Sequence, residues 1–380
     1  MKEVYLDHAA TTFIRPEVAA AMEPFLRQFF GNPSSTHRFG RVVRGAVEKA
    51  REQVAALLHA NSKEIVFTSG GTEADNAAIL SAAGTDPGKK HIVTTAMEHH
   101  AVLHTCECLE KLGVEVTYLR PDANGMIQVR QVLDAIRPDT CLISIMYVNN
   151  ETGAIQPIQE MVQAVRERSD VSPLIHTDAV QAAGIIDCDV QELGVDYLSL
   201  SAHKFGGAKG AGALFIRQGA PFQSFVHGGA QERGRRAGTE HVAGIVGMGI
   251  AAEKAVEERV AGYLHLHGLK QSMLQRLHEG IEDLQINSPE HSVPSILNLA
   301  IPGVSAEALL IRLDMFGIAA SSGSACTSGS LQPSHVLTSM GLPLDRVKSS
   351  IRFSFSKATT MDEVLYAAEK MIQSASQQRQ

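Results

Sequence analysis

The sequence predicts an α/β fold: a mainly parallel seven-stranded sheet sandwiched by helices, joined to a smaller α/β domain. Three observations lead there. Short apolar runs alternate with amphipathic stretches between residues 64 and 216, and parallel strands covered on both faces read as continuous apolar runs linked by helices. After about residue 240 the pattern changes to long helices and then mixes strands and helices again. A chain of 380 residues, 44% hydrophobic and 20% charged, also exceeds one typical core, so two domains are expected. Their expected limits are 14–255 for the large domain, with 1–13 and 256–380 forming the small one.

Val4-Tyr5-Leu6 reads as extended. Val18, Met22, Phe25, Leu26 and Phe29 are spaced as on a helix over Pro16–Phe30, with Pro16 in a permitted first-turn position. A second amphipathic helix is expected over Phe39–Leu58, with Arg41, Arg44, Lys49 and Arg51 on its wet side. The seven strands are expected at 64–68, 91–95, 114–119, 141–148, 174–178, 195–200 and 211–216. Helices are expected to open at Ser69–Glu73 and run through Ala83, and to cover 99–112, 128–136 and 157–168. Further helices are expected over 242–256, 264–284 and 305–314 and from Thr360, with strands at 295–299, 318–320 and 351–355 and a frayed tail from Gln373.

Composition excludes several classes. The net charge of −7 is spread without long single-sign blocks, which does not indicate nucleic acid as a main partner. No apolar run reaches transmembrane length and the first residues lack a signal pattern. Five cysteines show no disulfide framework, which suits a reducing cytoplasm.

Several stretches combine residue types suited to chemistry. Lys204 follows a β-rich run and precedes Phe205-Gly206-Gly207. A lysine at a strand exit beside small residues suits a Schiff base, because desolvation favours its neutral form; the bland alternative is a surface lysine in a turn. Ser69-Gly70-Gly71-Thr72 before a helix suits an anion, or is simply a tight turn capped by Thr72. Asp178, at the end of an apolar strand, is placed where α/β sheets bind ligands and could pair with a protonated ring nitrogen, with Gln181 facing the same ligand; the alternative is a helix cap. Ser201 and His203 precede Lys204. Taken together, Thr72, Asp178, Ser201, His203 and Lys204 meet the protein-side needs of pyridoxal phosphate. No paired-cysteine or HxxxH spacing supports a metal among His176, Asp178 and His203. His99, within Glu98-His99-His100, could stack on a ring or act as acid or base. Cys106 and Cys108 point about 200° apart on a helix and read as packing. Cys326 lies in a run of small residues, 321–330, where an exposed thiol could serve as nucleophile or carrier. Arg352 inside an apolar strand needs an anion, either a substrate carboxylate or a structural partner.

These residues together resemble the pyridoxal-phosphate-dependent cysteine desulfurases of the NifS/IscS type, a class V aminotransferase-like group of fold-type I. The likeness runs nearly end to end, through Tyr5–Thr12, Gly31–Ser35, Thr68–Glu73, Glu98-His99, Val148–Glu151, His176–Gln181, Ser201–Lys204, Arg235–Thr239 and Ser322–Thr327. The resemblance implies pyridoxal 5'-phosphate on Lys204, Asp178 on its ring nitrogen, Gln181 on its ring hydroxyl and His99 stacked on it. Gly71, Thr72, Ser201 and His203 would hold the phosphate. Thr239 would do so from a partner subunit, which implies a homodimer. Asn150 and Arg352 would hold the carboxylate of L-cysteine. Lys204, His99 and Cys326 would be catalytic, with Cys326 in a loop over about 321–332. Cysteine would become alanine, leaving a Cys326 persulfide for an acceptor protein of tRNA thiolation or iron–sulfur assembly. Ala202 and Gly71 stand where the group often has glycine and alanine; both keep the side chain small. A selenocysteine lyase or other lyase with the same cofactor is the enzymatic alternative, and a sulfur-carrier or scaffold component the non-enzymatic one.

Overall fold

Twelve strands are defined in the computed structural model, which describes residues 2–168, 171–323 and 333–379. In chain order they are β1 (Val4–Tyr5), β2 (Ile65–Thr68), β3 (His91–Thr95), β4 (Glu115–Leu119), β5 (Thr140–Ser144), β6 (Leu174–Asp178), β7 (Tyr197–Ser201), β8 (Gly212–Ile216), β9 (Gln285–Ile286), β10 (Ile296–Ala300), β11 (Ile318–Ala319) and β12 (Ser350–Ser354). The large sheet has the order β2-β8-β7-β6-β5-β3-β4. Its pairs are parallel from β7 through β6, β5 and β3 to β4, and only β8 runs against its neighbours. The seven strands are those expected from the sequence.

Side-chain alternation along each strand feeds two cores. Ile65, Phe67, Val93, Ile143, Leu198 and Phe215 join the core beneath the helices Arg38–Leu57, Ile158–Arg166 and Val242–Glu257. Val66, Ile92, Leu142, Tyr197, Leu214 and Ile216 join the opposite core, under the helices Gly71–Thr85 and His100–Glu110. Such two-sided cover explains why the strands carry almost no polar alternation. A third core unites Val4 and Leu6 with the helices Arg259–Gly280, Ala306–Met315 and Met361–Arg379 and with Leu297, Leu299, Ile351 and Phe353. β10 pairs antiparallel with β9 and β12, while β1 runs parallel to β11.

Several local expectations change. Arg51 is not on a wet face: it is buried and forms a two-pronged pair with Glu232, at 2.6 and 2.8 Å. A buried guanidinium needs such a partner, and Glu232 lies far away in sequence. Residues 374 and 375 are buried and the last helix continues to Arg379. Arg379 bonds Asp283 and the carbonyl of Pro302, so the described part of the tail is tied down rather than frayed. The expected helix over 264–284 instead spans Arg259–Gly280. The strand expected over 141–148 stops at Ser144, because the chain turns there to build the site.

Candidate functional site

The parallel strands deliver their carboxyl ends to one edge of the sheet, where α/β folds collect ligands. β2 leads to Gly71 and Thr72, β3 to His99, β5 to Asn150, β6 to Asp178 and Gln181, and β7 to Ser201, His203 and Lys204. Arg352 enters from β12. All ten line one cavity of about 200 Å³, together with Ala9, Ala10, Asp75, Met146 and Val180.

The helix Gly71–Thr85 starts at this cavity. Its cap residue is Gly70 and no side chain bonds the first turn, so Thr72 is not the cap. Unbonded first-turn N–H groups at a helix start favour an anion. A Cβ on Gly71 would fall 2.7 Å from Val180 Cγ2, so glycine is what lets the helix start pack there. Glu73 accepts from the Ser69 backbone N–H at 2.9 Å and from Arg236 at 2.8 and 3.1 Å, which braces the turn from behind.

Asp178 does not cap a helix. Its Oδ1 accepts from the Val180 N–H at 2.8 Å. Burial pushes its carboxyl up to about 6, while the Val180 N–H and the charge of Lys204 pull the other way. Lys204 donates to the carbonyls of Ala9 and Ala10, the latter at 3.0 Å. His99 caps the helix His100–Glu110: its Nδ1 accepts from the Ala101 N–H at 3.2 Å, which leaves Nε2 to carry the proton of a neutral ring. Burial, then Lys204, lowers it to about 4. His203 is likewise held neutral, at about 4, first by burial and then by Lys204, and its Nδ1 lies 3.1 Å from Thr11 Oγ1.

Arg352 is almost fully buried. Nη2 donates to Asp7 Oδ1 at 2.8 Å and Nη1 to the Asn150 carbonyl at 2.8 Å. The structural-partner reading of this arginine therefore holds in part. Its Nε and the Asn150 Oδ1 nevertheless have no hydrogen-bond partner. Unmatched polar atoms this deep are costly, and both belong to residues of the cavity wall, so a polar ligand group fits there.

Glu98 lies directly behind His99. Its Oε1 accepts from Thr95 Oγ1 at 2.8 Å and from the Met146 N–H at 2.9 Å. Burial pushes this carboxyl up to about 8, so it is neutral at pH 7. A raised carboxyl favours the folded state most at low pH, and that contribution is lost as pH rises towards about 8. From this group alone, unfolding free energy should fall by about 1.4 kcal/mol per pH unit between the two pKa values. In Glu98→Gln this component should vanish, measured by denaturant unfolding from pH 5 to 9. Parallel profiles for the two proteins would rule it out.

Two expected site residues are not brought together with the others. Thr239 is exposed and does not line the cavity. Cys326 and most of its loop lie outside the described residues. The residues on either side are described: Ser321 exchanges backbone hydrogen bonds with Arg352, and Ser334 Oγ donates to Glu151 Oε2 at 2.5 Å. Of the remaining cysteines, Cys106 is buried, as packing requires, but Cys108 is exposed.

Sequence reasoning missed Asp7, Asp75 and the carbonyls of Ala9 and Ala10. Asp75 had a usable signal, because it follows Gly71 by four residues and so shares the helix face turned to the ligand. Asp7 and the two carbonyls gave none, since carbonyl direction is not a residue-type property.

Comparison with known proteins agrees with this geometry. Residues 4–366 match the protein-family profile described as Aminotransferase class-V. The chain is 48% identical over 370 residues to a Dictyoglomus turgidum protein named cysteine desulfurase IscS, covering 97% of this chain and 93% of that one. It is 48% identical over 373 residues to a Bacillus subtilis protein named putative cysteine desulfurase IscS 1, covering 97% of each. Among solved structures, a NifS-like protein superimposes with a TM-score of 0.92 at 37% identity, covering 98% of this chain and 99% of that one. SspA in complex with cysteine gives 0.80 at 36%, covering 94% and 100%.

Proposed function

This chain belongs to the aminotransferase class-V family, and from that premise we propose a pyridoxal-5'-phosphate-dependent cysteine desulfurase that converts L-cysteine to L-alanine. The observation that carries the site reading is the convergence of Lys204, Asp178 and an uncapped helix start on one cavity. The residues fit the cofactor: an anion-binding helix start, a buried carboxyl and a lysine amine line the same space. When bound, the cofactor supplies an electron-withdrawing ring conjugated to the substrate nitrogen, which weakens bonds at the substrate α-carbon.

The chain's own residues do the rest. Gly71, Thr72, Ser201 and His203 would hold the phosphate group, Asp178 the protonated ring nitrogen, Gln181 the ring hydroxyl and His99 the ring itself. Lys204 would carry the cofactor and move the α-proton at Nζ, and its two carbonyl acceptors keep that amine in place. Arg352 Nε and the Asn150 Nδ2 group donate to the substrate carboxylate. The Cys326 thiolate bonds to the substrate sulfur as the carbon–sulfur bond breaks; protonation of the carbon yields alanine, and the sulfur stays as a Cys326 persulfide. Purified protein given pyridoxal phosphate, L-cysteine and a thiol reductant should release alanine and sulfide in equal amounts. Absence of alanine would reject the reading.

The persulfide is passed to an acceptor protein of tRNA thiolation or iron–sulfur cluster assembly. Domains of 14–255 and of 1–13 with 256–380 are supported by the third core, built from Val4, Leu6 and the C-terminal helices. A cytoplasmic setting belongs to the same proposal; among the described residues no helix is long and apolar enough to cross a membrane. A homodimer in which Thr239 reaches the other copy's cavity is supported by the exposure of Thr239 outside its own cavity and by the exposed Leu26, Phe30 and Phe39. Such a cluster of large apolar side chains marks an interaction surface. Sedimentation should give twice the chain mass; a monomer at micromolar concentration would refute the shared site.

A further inference from the structure

Behind the cavity lies a buried polar layer that the chemistry above does not use. It faces the helix Gly71–Thr85, on the side of the sheet where β5, β6 and β7 would otherwise present apolar residues. Ser144 Oγ lies 2.8 Å from His176 Nδ1, and His176 Nε2 lies 3.0 Å from Ser199 Oγ. Asp75 closes the layer from the helix. It lines the cavity and is 1% exposed, and its Oδ1 has no hydrogen-bond partner. That oxygen is 3.6 Å from His176 Nε2, too far for a hydrogen bond. An ionised Asp75 beside a charged His176 would be a plain ion pair, and the geometry is not one: both ring nitrogens of His176 already face hydroxyls.

We propose that Asp75 is a positioning residue of the cofactor site, a neutral carboxylic acid that confines the buried negative charge to Asp178. Asp75 and Asp178 line the same small cavity and both are buried, and two carboxylates sharing a dry site do not both ionise. Asp178 is the one with an N–H donor and with Lys204 across the cavity. The groups facing Asp75 agree. Burial disfavours its ionisation most and the charge of Asp178 adds to that, while the Ser199 hydroxyl opposes them; Glu98, neutral at pH 7, adds its charge only at higher pH. His176 supplies no positive charge, since burial holds it neutral, at about 3. The remaining titratable or charged groups on the cavity wall are His99, His203, Lys204 and Arg352, the last already paired with Asp7. A single buried anion is what one protonated ring nitrogen requires; a second would be left without a partner.

The proposal rests on the cofactor reading, so its first test does not depend on it. Infrared spectra of the ligand-free protein at pH 7 should show a protonated-carboxyl band that Asp75→Asn lacks, with Glu98→Gln removing a different component. With pyridoxal phosphate bound, the chromophore of Asp75→Asn, which keeps a neutral donor, should titrate with pH as in the unaltered protein. That of Asp75→Ala should shift by about one pH unit. An unchanged infrared band in Asp75→Asn would overturn the proposal, as would equal shifts in both variants. If the unaltered protein formed no chromophore at all, the cofactor reading would fail while the infrared result still decided the state of Asp75.

Discussion

Replacing Lys204 by alanine should lower cysteine turnover by about 10³-fold or more, because the positioned amine that moves the α-proton disappears. The structure separates this chemical loss from a structural one. Lys204 Nζ is held by the carbonyls of Ala9 and Ala10, which belong to the segment after β1. Losing these bonds should cost the fold about 1–2 kcal/mol, a small shift in a melting curve. The visible absorption of the lysine-bound cofactor should vanish with the activity. Pyridoxal phosphate should still bind, weakly, through Gly71, Thr72 and Asp178, so equilibrium dialysis can distinguish a missing amine from a collapsed site. Wild-type turnover in Lys204→Ala would remove the lysine from the mechanism.

That lysine shows how much could be read in advance. Its neighbours at the sheet edge were legible because apolar strands end abruptly in polar or small residues, as at Thr68-Ser69-Gly70 and His176-Thr177-Asp178. Each strand exit names its own candidate, and a parallel sheet gathers the exits on one side. What links the candidates was less legible. Arg352 met Asp7 across nearly the whole chain, and Arg51 met Glu232; both pairings depend on how distant segments fold over the sheet. Asp75 looked like an ordinary polar residue in the first turns of a helix until the rotation of that helix over β6 and β7 buried it. The end of the final helix, expected to fray, is ordered for a related reason. Its glutamine-rich end is polar by composition, yet Ser374 and Ala375 are small enough to pack against the third core.

Replacing Cys326 by serine should lower persulfide formation and sulfide release by about 10³-fold or more, since an alcohol at neutral pH is a far poorer nucleophile than a thiolate. The argument for this cysteine runs through its described flanks. Ser321 is tied to Arg352, and Ser334 to Glu151, the residue after Asn150. Both described flanks therefore lie beside the two residues assigned to the substrate carboxylate. Cys326 follows Gly323 by three residues in sequence. Cofactor binding and the spectral response to added cysteine should persist in Cys326→Ser, because Lys204, Asp178 and Arg352 are untouched. This is the opposite of the Lys204→Ala pattern, and the contrast tests the division of labour between the two residues. Mass spectrometry of the protein after cysteine addition should find one added sulfur on a peptide containing Cys326 and none in the variant. Persulfide formation at the unaltered rate in Cys326→Ser would instead assign the nucleophile to another thiol, with the exposed Cys108 the first to be replaced.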